Sequence, residues 1–242
     1  MMRKNRISWM AAPMLAVLVA GCCDSDRPLG VSESATLGPG VVTLGTTTTY
    51  AVIAGDSVVS TNATVITGDV GVSPGTTVTG FPPATASGTT NAGNVAAGTA
   101  ITDLTVAIND VVARTTAVLT LPSTELGGEE LAPGLYDTAS PLTINGTVTL
   151  NALGRSDAMF IIRTSSSLTT SSGSRVILTG GAQASNVIWV VGTTATLGAN
   201  SSFQGTILAN QSITLLSGAN VTGRVLSRTG SVTLDASVVA VP

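Results

Sequence analysis

Over much of its C-terminal half the chain alternates apolar and polar residues in short stretches, and the stretches recur. Thr147-Val-Thr-Leu150, Ser167-Leu-Thr-Thr170, Thr194-Ala-Thr-Leu197, Ser212-Ile-Thr-Leu215 and Ser231-Val-Thr-Leu234 share one pattern, at intervals of 18 to 27 residues. A second motif travels with it, Gly205-Thr-Ile-Leu-Ala209 against Gly223-Arg-Val-Leu-Ser227. Period-2 alternation reads as strands with one buried side. Repeats near 20 residues, rich in β-branched residues and broken by Gly, Asn and Ser, read as a β-solenoid. A coil of 18 residues holds three short strands and three corners, which predicts a triangular cross-section. Alternation then turns Val148, Leu168, Ala195, Ile213 and Val232 inward and Thr149, Thr169, Thr196, Thr214 and Thr233 outward. Stacked in register, those five threonines would form a ladder with steps of about 4.8 Å.

One stretch departs from this pattern. Between Thr89 and Leu119, Ala96, Ala97, Ala100, Ile101, Leu104, Ile108, Val111, Val112 and Thr115 follow a 3/4 spacing with Asp103, Asp110 and Arg114 between them. That predicts one amphipathic helix over about 89–119, closed before Pro122. Its roughly 25 helical residues would match seven or eight stacked coils in length. It is therefore expected to lie along the solenoid axis, covering one face and leaving two open.

Composition narrows the chemistry. Only 10% of the 242 residues are charged, 10 Lys+Arg against 13 Asp+Glu, and His is absent; a soluble domain usually carries about 25% charged residues. Thr (38), Ser (25) and Gly (27) take their place. A net charge of −3 offers no basic footprint for nucleic acid. Without His there is no imidazole for acid–base catalysis or metal ligation. A mean hydropathy of +0.47 opposes disorder. The acids Asp56, Asp69, Asp103, Asp137, Asp157 and Asp235 are scattered, and Asp69 and Asp157 read as turn-fixing residues. Glu125, Glu129 and Glu130 share a Gly-containing loop and read as solvated. No enzyme, metal or cofactor is expected. Phe160, Trp189 and Phe203 sit in apolar strands and read as core, which leaves Phe81, beside Pro82 and Pro83, as the aromatic expected at the surface.

The N-terminus carries a different signal. Arg3, Lys4 and Arg6 precede an apolar stretch from Ile7 to Val19, too short to span a bilayer comfortably. Val19-Ala20-Gly21-Cys22 follows and looks like a bacterial lipobox, with residues 1–21 as signal peptide and Cys22 as the lipidation site. An ordinary signal peptide that ends near a cysteine is the alternative. Removing residues 1–21 leaves seven basic residues, all Arg, against 13 acids. Both cysteines, Cys22 and Cys23, then lie at the anchor, so the domain folds without a disulfide. Residues 22–40 read as a tether and residues 41–242 as one domain. The expected location is the outer membrane or cell surface as a lipoprotein, or the medium as a secreted protein. Membrane contact would come only through the lipid anchor at Cys22.

Several motifs, in order, carry a resemblance. Leu44-Gly-Thr46, Tyr50-Ala-Val-Ile53, Gly68-Asp-Val-Gly-Val-Ser-Pro-Gly75, Gly80-Phe-Pro-Pro83, Leu131-Ala-Pro-Gly-Leu-Tyr136, Asp157-Ala-Met-Phe-Ile161, Asn186-Val-Ile-Trp-Val190 and Gly223-Arg-Val-Leu226 resemble microbial ice-binding proteins of the discontinuous β-solenoid family. The resemblance covers about residues 41–242. It implies a mostly β fold: a right-handed, three-faced β-helix with one long α-helix packed alongside, and an N-terminal segment stacked at one end. It also implies adsorption to an ice crystal surface through one flat face, often named the b-face, by a monomer without cofactors. Some members carry a Thr-Ala/Gly-x-Thr/Asn motif on that face; Ser217-Gly-Ala-Asn220 approximates it, and Leu197-Gly-Ala-Asn200 keeps only its Gly and Asn. The candidate ice-binding residues are therefore Thr196, Thr214 and Thr233 in one group and Asn200, Ser202, Ser217, Asn220 and Thr222 in the other, with the choice between the two faces open. The alternative function is a cell-surface adhesive or structural β-solenoid that binds polysaccharide or another cell.

Overall fold

A computed structural model of the chain describes residues 39–242; the expected signal peptide, Cys22 and nearly all of the expected tether lie outside them. Three parallel sheets run the length of a triangular prism. Sheet A has nine strands, in spatial order Thr90–Ala92, Asp69–Val72, Tyr50–Ala54, Val225–Ser227, Thr206–Ala209, Val187–Val191, Phe160–Thr164, Gly134–Thr138 and Val118–Thr120. Sheet B has seven: Leu142–Ile144, Leu168–Thr170, Ala195–Leu197, Ile213–Leu215, Val232–Leu234, Ser57–Ser60 and Thr77–Thr79. Sheet C has eight: Thr85–Ala86, Val65–Thr67, Val238–Ala240, Asn220–Thr222, Ser202–Gln204, Arg175–Thr179, Thr147–Asn151 and Glu130–Leu131. The chain visits A, then B, then C, and repeats.

The inward residues of all three sheets form one core. Trp189, Phe160 and Phe203 are its largest members, each 0–1% exposed. The Trp189 and Phe203 rings sit 5.1 Å apart, and Trp189 Nε1 donates to the Gln204 carbonyl at 3.1 Å. Burying aromatics this way leaves none of the three for surface recognition, as expected. Phe81 departs from its expectation: it is only half-exposed, because it packs against the core near the end of the prism.

The first coil stacks on the second on one side only. On its other side Tyr50–Ala54, Ser57–Ser60 and Val65–Thr67 pair with Val225–Ser227, Val232–Leu234 and Val238–Ala240, the last coil of the chain. The solenoid is discontinuous in this sense, with both ends of the domain meeting inside it.

The helix α1 spans Val95–Ala113, 19 residues against the expected 89–119. Asn94 caps its start, with the side-chain oxygen accepting from the Ala97 N–H at 3.0 Å. The missing turns became strands. Thr90–Ala92 pairs with Asp69–Val72, and Val118–Thr120 with Gly134–Thr138, so residues that fit the helical period close the two edges of sheet A instead. The lateral position holds. Ala100, Leu104, Ala107, Ile108 and Val111 pack on the outer side of sheet A, against Ile53, Leu135, Ile161, Ile188, Val190, Leu208 and Leu226. At about 28 Å, α1 covers most of the nine strands.

Charged groups lock this cover. Arg163, on sheet A, donates Nε and Nη2 to the two Asp137 oxygens, each at 2.8 Å. Its Nη1 reaches the carbonyls of Val111, Val112 and Arg114 at 2.7, 3.0 and 3.2 Å, capping the C-terminus of α1. Asp103, in mid-helix, accepts from both the N–H and the hydroxyl of Thr46 at 2.7 Å. Arg224, at the corner between sheets C and A, donates to the Thr48 carbonyl at 3.1 and 2.8 Å. Residues 40–49 are thereby held beside α1, and Val42 and Leu44 join the cluster beneath it.

Candidate functional site

With sheet A covered, the outer faces of sheets B and C remain. Sheet B is the more regular. Its central outward file is Thr143, Thr169, Thr196, Thr214, Thr233, Val59 and Thr79, each paired in register with the next. Beside it runs a second file that includes Ser167, Thr194, Ser212, Ser231, Ser57 and Thr77. Neither file holds a charged residue over these strands; Glu125, bridged in parallel to Thr143, closes the central file with a carboxylate. Inward neighbours Leu168, Ala195, Ile213, Val232 and Val58 are fully buried, which fixes the strands from behind. The flank is pinned as well: Ser57 Oγ donates to Ser231 Oγ at 2.9 Å, and Ser231 Oγ to Asp56 at 2.7 Å. Steps are about 4.8 Å between strands and about 6.7 Å along one. β-branched Thr has few χ1 choices, so hydroxyls and methyls repeat with the backbone.

This ladder corrects the expected one in a single rung. Thr149 belongs to sheet C, where it pairs with Glu130 and Ile177; its place on sheet B is taken by Thr143. Pro141-Leu-Thr-Ile144 and Thr147-Val-Thr-Leu150 carry the same alternation, and the turn at Asn145-Gly146 puts them on different faces. The N-terminal coils extend the ladder by Val59 and Thr79, which the C-terminal repeat did not reveal. Their signal was present in Ser57-Val-Val-Ser60 and Thr77-Val-Thr79, which alternate in the same way.

The remaining candidates divide. Ser202, Asn220 and Thr222 are strand residues facing outward on sheet C, separate from the Thr196, Thr214 and Thr233 group. Asn200 and Ser217 are not strand positions. They lie at the corners between sheets B and C, where the Asn200 N–H donates to the Ser217 carbonyl at 3.0 Å. Asn200 takes a left-handed φ of 55° and Gly218 one of 75°. A Cβ on Gly218 would come within 2.4 Å of the Asn200 side-chain oxygen. The Gly-Ala-Asn sequences are thus corner devices that let coils turn in a tight stack.

Sheet C is mixed. Arg175 and Glu130 bring charge, Gln204 and Ile177 bring bulk, and Val65 and Val238 face outward. The acidic loop is less solvated than expected. Glu125 accepts from the Gly127 and Asn145 N–H groups at 2.8 and 2.7 Å and from the Thr143 hydroxyl at 2.6 Å. Burial pushes its pKa up, and these hydrogen bonds outweigh it, leaving the carboxyl below its ordinary value. Glu130 is tied to Asn151 at 2.7 Å. Asp69 departs from its turn-fixing expectation: it accepts from the Thr89 N–H at 2.7 Å, 20 residues along the chain, and so ties two neighbouring coils together. Asp157 instead pairs with Arg155 at 3.3 Å on the surface. Each of these carboxylates is engaged structurally.

Residues 52–240 match a family described as ice-binding-like. An ice-binding protein of Nostoc sp. (strain HG1) is 40% identical over 156 residues, covering 60% of this chain and 58% of that protein. One from Colwellia sp is 38% identical, covering 59% of this chain and 56% of that protein. The matches thus span little more than half the length of these relatives. The crystal structure of an ice binding protein from an Antarctic biological consortium superposes with a TM-score of 0.83 at 42% identity, covering 88% of this chain and 95% of that one. A DUF3494 domain of a Shewanella frigidimarina ice-binding protein gives 0.76 at 28% identity, covering 84% and 98%.

Proposed function

The chain belongs to the ice-binding-like family, and on that premise we propose that it adsorbs to ice through the outer face of sheet B. The observation that carries this is the unbroken ladder on that face, with threonine at six of its seven central positions and no charge between Thr143 and Thr79. Ice presents oxygen atoms on a lattice, so recognition must be spread over many regularly placed contacts. Threonine methyls let adjoining water order into cages, and threonine hydroxyls anchor that order by hydrogen bonds. Rigid strands and stiff χ1 angles limit the entropy lost on docking. Thr196, Thr214 and Thr233 are the central contacts, with Thr143 and Thr169 continuing the row. Once docked, the protein confines ice growth to curved fronts between bound molecules, which lowers the local freezing point and slows recrystallisation.

In this reading the protein works as a monomer, without cofactor, catalysis or nucleic acid, because one chain supplies the whole ladder. The Val19-Ala-Gly-Cys22 motif supports export and lipidation at Cys22, and Cys23, in place of the Asp that commonly retains lipoproteins in the inner membrane, supports the outer membrane. Arg114 donates to the carbonyls of Gly40 and Val41, so the chain enters the domain at the C-terminal end of α1, on the face away from the ladder. Residues 22–40 could extend at most about 68 Å. An anchored molecule could therefore present sheet B to ice. A polysaccharide-binding module would need exposed aromatics, and Phe160, Trp189 and Phe203 are buried.

The test is adsorption of fluorescently labelled protein to a single growing ice crystal. The wild type should concentrate on the crystal, and Thr196→Tyr combined with Thr214→Tyr should remove both enrichment and thermal hysteresis while the thermal unfolding midpoint is retained. Full activity in the double variant would move the site off sheet B; absence of wild-type enrichment would end the ice reading.

A further inference from the structure

The corner that follows Leu142–Ile144 and leads from sheet B to sheet C is made by Asn145-Gly146, the one Asn-Gly pair in the chain. Gly146 takes a φ of 101°, which a side chain disfavours, so the turn onto Thr147–Asn151 calls for glycine. Both residues are exposed, and the space that a Cβ on Gly146 would occupy is open. The backbone around the pair is held. The Asn145 N–H donates to Glu125 at 2.7 Å, and the Gly146 carbonyl accepts from the Arg175 N–H at 2.7 Å. Between those ties, the Asn145 side-chain amide and the Gly146 N–H have no hydrogen-bond partner among the described residues.

Other asparagines are better guarded. Asn94, Asn151 and Asn186 engage the Ala97 N–H, Glu130 and the Ser156 carbonyl. Each is followed by a residue whose Cβ crowds its own backbone nitrogen: Val95, Ala152 and Val187. At Gly146 that crowding is absent, because the corner admits only glycine.

We propose that Asn145 is a site of spontaneous covalent modification, where the amide is converted to aspartate and isoaspartate. The Gly146 nitrogen attacks Asn145 Cγ, and the new N–Cγ bond closes a five-membered imide. The Cγ–Nδ2 bond breaks, and Nδ2 leaves as ammonia with the Gly146 amide proton. Water then opens the ring. Addition at Cγ gives aspartate on an unchanged backbone; addition at the Asn145 main-chain carbonyl gives isoaspartate, whose backbone is one atom longer. The balance is amide plus water to carboxylic acid plus ammonia, with no other reactant.

The consequence falls on the end of the ladder. The new carboxylate arises beside that of Glu125, which holds the Thr143 hydroxyl and the Asn145 N–H, so two like charges meet where the threonine file ends. The longer isoaspartate backbone also loosens the link between Leu142–Ile144 and Thr147–Asn151. Leu142–Ile144 is an edge strand, with Leu168–Thr170 as its one strand neighbour. The chemistry stands apart from the ice reading; only the effect on adsorption rests on it.

The full chain would be aged in warm, mildly alkaline buffer made with heavy-oxygen water and mapped by peptide mass spectrometry. Isoaspartate would be counted by methyl transfer from S-adenosylmethionine with an isoaspartate methyltransferase. Asn145 should convert ahead of every other asparagine, take up heavy oxygen and yield both products. Asn145→Gln, whose amide needs a larger ring, should lose the conversion and keep the thermal midpoint. Aged wild type should show faster amide exchange in Leu142–Ile144 and weaker enrichment on ice, and aged Asn145→Gln neither. The proposal is overturned if Asn145 keeps its amide, or if Asn145→Gln gains isoaspartate as fast as the wild type. Conversion with exchange unchanged would overturn the loosening of the edge strand. A wild type that converts but never concentrates on ice would remove the ice reading and leave the modification standing.

Discussion

The coil that runs from Gly205 to Gly223 puts two outward residues under opposite demands. On sheet A, Ile207 points into the core and Leu208 points out, yet both are fully buried because α1 lies over Leu208. On sheet B, Ile213 points in and Thr214 points out, half-exposed with nothing over it. Neighbouring coils repeat the contrast: Ile188 and Leu226 on one face, Thr196 and Thr233 on the other. Local strand geometry is the same in both places. What differs is the medium beyond the strand, apolar helix or water, and the side chain at each outward rung matches it. A sheet buried on both sides reads as a continuous apolar run, and a sheet open on one side reads as alternation.

Placing one substitution at both positions tests that contrast most directly. Leu208→Asp should cost about 4 kcal/mol or more, enough to unfold much of the protein, because a carboxylate would replace a filled site between helix and sheet. Thr214→Asp should change stability by under about 1 kcal/mol, yet abolish ice adsorption, since a charge holds its own hydration shell. Denaturant unfolding paired with thermal hysteresis would check both; equal destabilisation at the two sites would dissolve the distinction.

A smaller effect is expected where the cover is fastened. Arg163→Met removes the Asp137 pair and three carbonyl contacts at the end of α1. Because Asp137 is partly exposed, the loss should be only about 1–2 kcal/mol. It should appear as faster amide exchange in the last turn of α1, with ice activity nearly intact. Lost activity at unchanged exchange would mean that helix cover and ladder are coupled otherwise.

The smallest effect concerns pH. The Arg163 hydrogen bond lowers the Asp137 pKa, hydrogen bonds from Thr46 lower that of Asp103, and Glu125 is also lowered. Carboxyls depressed in the folded state contribute stability that is fully present above their unfolded values, about 3.9 for Asp and 4.3 for Glu, and lost as pH falls through the folded ones. With no His in the chain, the thermal midpoint and the ice activity should stay flat from about pH 5 to 8 and the midpoint should fall below about pH 4. A transition near pH 6 would contradict this.

Much of the architecture was legible. Leu168, Ala195, Ile213 and Val232 alternate with threonine strictly enough to reveal strand, inward side and coil length. The helix was visible in the spacing of Ala100, Leu104, Ile108 and Val111. Its ends were not, because Thr90–Ala92 and Val118–Thr120 fit either period and became strands only by pairing with a neighbour. Thr149 was misplaced for a related reason: a four-residue alternation identifies a strand but not which side of a triangle it occupies. Asn200 and Ser217 resembled face residues because corner and face share the same small polar alphabet.

The sequence by itself determined the solenoid, the absence of imidazole chemistry and the supply of short uncharged side chains, since these follow from composition and from period 2. Only the tertiary structure decided which threonines share a face, that the last coil receives the first, and that sheets B and C divide the candidate residues between them. The physical reason is that face and stacking order depend on hydrogen bonds between strands far apart in the chain. Val59 meets Thr233 across the molecule, and nothing local to either residue specifies that partner.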